Sequence, residues 1–197
     1  MNFSVALLLI FFSCNHFDVQ NGNNLSIPEI ITLGHKYTDW FYSDRLDSII
    51  NCMVDKEQGV QKTRDFRRKV DTQFGRETEV LNERAGKSIS NRYYYVRYSR
   101  FSNINQPVKT EFSFDSNDHI FQVSIEMLPK EAPSQFLAYK TKTKLRLPFD
   151  DLWYVAAGGL NITTNHHSVS VDQRFAYDFL IKKDGFTFQK SGTRNED

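Results

Sequence analysis

The residues best able to do chemistry together are a histidine pair, His166-His167, and Asp178 further along the same segment. Asp178 falls in the run QRFAYDFLI, whose residues read as an extended strand. Side chains alternate across a strand, so Ala176, Asp178 and Leu180 share one face and Phe175, Tyr177, Phe179 and Ile181 the other. A carboxylate on so apolar a strand is costly to bury unless it is ion-paired, hydrogen-bonded or bound to a metal. Neutral imidazole and carboxylate are both zinc ligands, and together they leave positions for a further ligand and a water. The plainer reading pairs Asp178 with Arg174 or a strand neighbour and leaves the two histidines in a loop. His35 and His119 lie in helix and turn regions with no evident acidic partner at ligand spacing. The charged run Arg64 to Lys69 reads as a solvated helix face, because acids flank it on both sides.

Composition narrows the classes around that site. The chain has 197 residues, with 25 Lys and Arg against 24 Asp and Glu and a net charge of +1. That balance argues against a dedicated nucleic-acid binder, so no nucleic-acid partner is expected. Hydrophobic residues make up 40% and charged ones 25%, enough apolar material for a folded core. Seventeen Phe and nine Tyr point to sheet. The two cysteines, Cys14 and Cys52, exclude a disulfide framework and a Cys-rich zinc site.

The N-terminus reads as an address. Val5 to Phe12 (VALLLIFF) is unbroken and apolar but too short to span a hydrocarbon core of roughly 30 Å, and it suits the apolar part of a secretory signal. Ser13-Cys14 after it resembles the bacterial lipoprotein signal, which makes Cys14 the expected lipidation site and the only expected membrane contact. The expected location is therefore the bacterial cell envelope, lipid-anchored or else periplasmic or secreted. Cys52 is then left as a lone thiol, expected to be buried and inert. The competing reading of the run is a buried N-terminal strand or helix. Residues 1–14 are assigned to the signal and 15–25 to a polar tether.

Helices come next. Ser26 and Glu29 have capping-box spacing with Pro28 in the first turn, and Ile30, Leu33, Tyr37, Trp40 and Phe41 form one stripe. A second short helix carries Leu46, Ile49, Ile50 and Met53. A third carries Val60, Phe66, Val70 and Phe74 and stops at Gly75. Strands are expected at Thr78 to Leu81, Arg92 to Phe101, Val108 to Phe114, Ile120 to Met127 and Lys140 to Leu147, with a turn at Ser116-Asn117-Asp118. Helices followed by an antiparallel meander give an α+β class, helices packed on one face of a curved sheet. Pro129 to Ser134 and Pro148 are candidate boundaries.

Two resemblances follow from these residues. The helix-then-meander order over 26–138 resembles the NTF2-like cone. The run from Tyr139 (YKTKTKLRLPF), through Trp153 and Gly158-Gly159, to NHH and QRFAYDF resembles the entry to a lysostaphin-like M23 zinc metallopeptidase domain, which some exported proteins carry after an NTF2-like domain of the DUF3887 type. The resemblance implies that 139–197 is the start of an all-β peptidase domain acting on the peptide cross-links of peptidoglycan. It implies zinc as cofactor and, position by position, His167 and Asp178 as metal ligands, with His166 the runner-up for the first. The family completes its site with a downstream His-x-His, and no histidine follows His167 here. The expectation is the front part of such an enzyme, inactive as this chain alone, binding zinc weakly or not at all, with no catalytic base assigned.

The alternative is a non-catalytic envelope lipoprotein whose NTF2-like domain binds a small ligand or a partner protein. A third class, proton transfer inside the cone, would need an acid such as Glu111, Asp115 or Asp118. Those flank the expected turn, where acids are usually exposed.

Overall fold

A computed structural model describes residues 7–11, 24–54, 56–88, 92–144, 146–147, 149–150 and 152–181, with backbone alone at 7–11 and 56–59. Cys14, Pro148 and almost all of the expected tether lie outside the described residues. The chain divides into two compact units, Met1–Leu128 and Pro129–Asp197.

The first unit is α+β. Helix α1 (Ile27–Tyr42) starts where Glu29 accepts hydrogen bonds from both the backbone N–H and the hydroxyl of Ser26, each at 2.7 Å. These bonds satisfy a donor that the first turn would otherwise leave bare. Helix α2 (Leu46–Cys52) is short, and α3 (Lys56–Phe74) ends at Gly75, whose φ of 77° only glycine adopts without strain. Strands β2 (Glu77–Lys87), β3 (Tyr93–Phe101), β4 (Ile104–Phe114) and β5 (Ile120–Met127) form an antiparallel meander. The backbone of β1 (Leu7–Phe11), within the apolar N-terminal run, adds a fifth strand along the edge of β5. That pairing occupies N–H and C=O groups that an open edge would present to other chains. The sheet is open rather than closed into a barrel.

The expected helical stripe is largely the core. Ile30, Tyr37 and Phe41 of α1 pack with Ile49, Phe66, Val70 and Phe74 against Tyr95, Phe112, Phe114 and Ile125 of the sheet. Tyr37 meets Phe114 edge-on at 5.0 Å and lies 5.9 Å from Phe112. Val60, assigned to that stripe from its spacing, is instead exposed, four residues into α3. Among the described residues, no helix is long and apolar enough to cross a membrane.

The second unit has little regular structure. Strands β6 (Tyr154–Ala157) and β7 (Asp178–Leu180) pair antiparallel, and a 3-10 turn spans His166–Val169. The strand expected at Lys140 to Leu147 is not formed in its described residues, which are exposed. Its alternation sets lysine against threonine over most of its length, so neither face repays burial against a neighbour.

Candidate metal-binding site

The site rests on polar hubs rather than on a hydrophobic core. Asn165 is fully buried and caps the 3-10 turn: its side-chain oxygen accepts the N–H of His167 at 3.0 Å. Its amide nitrogen donates to the carbonyls of Gly159 at 2.9 Å and Arg174 at 3.0 Å, so one side chain ties three stretches of loop together. Arg174, 2% exposed, donates to the carbonyls of Ala132, Ser168 and Leu160 and pairs with Glu131 at 2.9 Å. The other carboxylate oxygen of Glu131 accepts the N–H of Ile162. Carbonyls and a carboxylate replace the lost hydration of its two terminal nitrogens, while the buried Nε has no hydrogen-bond partner among the described residues.

These hubs fix one side of the site, and the β6–β7 pairing fixes the other. Asp178 sits opposite Ala157 in the ladder, while the rings of Tyr177 and Phe179 stack at 5.9 Å.

 

Across eleven residues of sequence, His167 Nε2 and Asp178 Oδ1 meet at 3.0 Å. His166 Nε2 lies 3.8 Å from the second oxygen, Asp178 Oδ2, and the two imidazole rings are 4.0 Å apart. One donor atom from each of the three residues lies within 4.8 Å of the others. Their side chains are 69%, 18% and 40% exposed for His166, His167 and Asp178, so the cluster is anchored at His167 and open toward solvent at His166.

The donor set fits zinc. Zinc–ligand bonds of about 2.0–2.2 Å in a tetrahedron place neighbouring donors about 3.4 Å apart, and the separations of 3.0 and 3.8 Å bracket that value. The same contact is also a complete imidazole–carboxylate hydrogen bond in its own right.

The structure thus brings His166, His167 and Asp178 together. Arg174 does not pair with Asp178, as the plainer reading of the sequence had it, but with Glu131, because the guanidinium is turned inward to serve three carbonyls. Asn165, Arg174 and Glu131 escaped the sequence reading as positioning residues. Asn165 carried a usable signal, an Asx residue directly before a turn; the Glu131–Arg174 pair spans 43 positions and carried none. The two histidines read as having no acidic partner at ligand spacing each meet one carboxylate: His35 meets Glu83 at 2.8 Å, and His119 meets Asp115 at 3.0 Å. Both pairings depend on chain reversals that bring the acid back.

Comparison of the chain with known protein families, with curated proteins and with solved structures found no match.

Proposed function

We propose that the second unit supplies the first metal ligands of an exported zinc metalloendopeptidase that acts on the peptide cross-links of peptidoglycan. The observation that carries this reading is the 3.0 Å meeting of His167 and Asp178, with His166 alongside. His167 and Asp178 are the ligands, and His166 is the runner-up for the histidine position. When bound, zinc polarises a scissile carbonyl and lowers the pKa of its water. The chain's own residues do the positioning. Asn165 fixes the backbone of His167, and the ladder with Ala157 fixes Asp178, so neither ligand has to be ordered when the ion arrives. The exposed side at His166 leaves room for a further ligand and a substrate carbonyl.

The NTF2-like character of the first unit, export, and lipid attachment at Cys14 belong to the same proposal. The helix-then-meander order supports the first; the composition of the apolar run before Cys14 supports the others, while its pairing with β5 favours the competing reading of an N-terminal strand. A non-catalytic envelope lipoprotein with a ligand between helices and sheet is less well supported, since Tyr37, Phe41, Phe112 and Phe114 fill that space.

Cobalt(II) provides the test, because its visible absorption reports both coordination and substrate approach. Co(II) bound at this site should give tetrahedral bands that Asp178→Asn removes, and cross-linked peptidoglycan peptides should perturb them. Bands that survive both Asp178→Asn and His167→Gln would overturn the site. Bands that ignore the peptides would overturn the substrate.

A further inference from the structure

The segment of the second unit that alternates like a strand but forms none carries charge of one sign. Between Glu131 and Asp150 the sequence has four cations, Lys140, Lys142, Lys144 and Arg146, and no carboxylate. The net charge of the whole chain is +1, so everything outside that stretch carries −3. All four cationic residues are exposed. Arg146 pairs with Asp150, whereas the three lysines have no ion-pair partner among the described residues. Like charges at every second position repel one another, and anions brought from outside relieve that repulsion.

Large apolar side chains stand at both ends of the lysines. The N–H of Tyr139 donates to the carbonyl of Phe136 at 3.0 Å, a turn that sets the two rings edge to face with centroids 6.4 Å apart. Phe136 is 55% exposed and Tyr139 64%, while Leu147 beyond the lysines is 53% exposed. A lysine can lay its stem along apolar material while its ammonium reaches a polar layer. Exposed rings and leucines beside unpaired cations are the composition of a segment that lies in a membrane interface.

We propose that Lys140, Lys142 and Lys144, with Phe136, Tyr139 and Leu147, dock the second unit onto an anionic phospholipid bilayer. Lysine alternating with threonine gains nothing against a protein neighbour. It suits a partner that offers anions over a continuous plane and requires no matching shape. The lipid phosphates meet the ammonium groups, and the boundary between headgroup and acyl chain receives the Phe136–Tyr139 pair. A soluble polyanion would satisfy the lysines and leave both rings in water. None of these residues belongs to the His167–Asp178 cluster, so docking and metal binding stand or fall separately.

The test uses the full chain carrying Cys14→Ser. Reductant is kept throughout, because Cys52 is half-buried rather than buried and inert as its isolation in the sequence implied. Co-sedimentation should show binding to vesicles of mixed phosphatidylglycerol and phosphatidylcholine, weakened by salt, and little binding to pure phosphatidylcholine. Each cation at an anionic leaflet is worth about fivefold in affinity, so replacing all three lysines with Gln should weaken binding about a hundredfold. The melting temperature should not change, and replacing the same three with Arg should preserve binding. Fluorescence from Tyr139→Trp should shift to the blue on the mixed vesicles and stay put with soluble polyphosphate. Equal binding to neutral vesicles, as the apolar run Val5 to Phe12 would produce, overturns the proposal. So does undiminished binding by the Gln variant. Binding without the blue shift assigns the lysines to a polyanion and overturns it as well.

Discussion

The two units are held together by different physics. In the first, the large apolar side chains meet between helices and sheet; among its described residues only Ile27, Val60 and Val80 are large, apolar and exposed. In the second, the buried apolar residues among those described are Ala132, Ala157 and Ile162, while Phe136, Leu152, Tyr154, Val171 and Tyr177 are among many left in solvent. Hydrophobic burial of about 25 cal/mol per Å² can hold the first unit. The second depends on the directed hydrogen bonds of Asn165 and Arg174. The candidate metal site sits on the hub.

Substitutions should separate the two regimes. Phe112→Ala removes a fully buried ring that touches Tyr37 and Phe41, and should lower the first unit's stability to urea by about 3–5 kcal/mol. The His167 and Asp178 resonances should not move. Arg174→Met keeps much of the volume but strands three carbonyls and Glu131; it should cost the second unit about 3 kcal/mol. Amide hydrogen exchange should quicken through residues 157–178 and stay unchanged in the sheet. Asn165→Ala should cost about 1–2 kcal/mol, also confined to the second unit, with loss of protection at the His167 N–H.

The smallest effect concerns pH in the first unit. Burial raises the Asp118 carboxyl, but hydrogen bonds from Lys36 and Tyr37 outweigh it and leave the group below its ordinary value of 3.8. A carboxyl depressed in the folded state adds stability above its unfolded value and loses it as pH falls through the folded one. Asp118→Asn should therefore lower stability at neutral pH and flatten the loss below 3.8, as read from urea midpoints across acid pH.

What the sequence disclosed follows the same division. The 3.6-residue stripe of α1 and the β-rich runs of the meander are local patterns, and β5 appears at its expected bounds, Ile120–Met127. Local pattern fails where a residue's partner is set by the fold. Lys140 to Leu147 alternates as a strand should, yet alternation without an apolar face gives nothing to pack. In the site, the types and spacing of His166, His167 and Asp178 were legible. The residues that hold them were not, because Glu131 and Arg174 have meaning only once the loops are folded over them.

The central claim is that His167 and Asp178 grip one divalent ion, and zinc titration by calorimetry tests it most directly. The metal-free chain should bind one zinc, weakly for so few ligands, and His167→Gln and Asp178→Asn should each weaken it further, at least about tenfold. Wild-type protein that takes up no zinc, or variants that bind it as well as wild type, would reduce the cluster to a hydrogen-bonded pair and contradict the account.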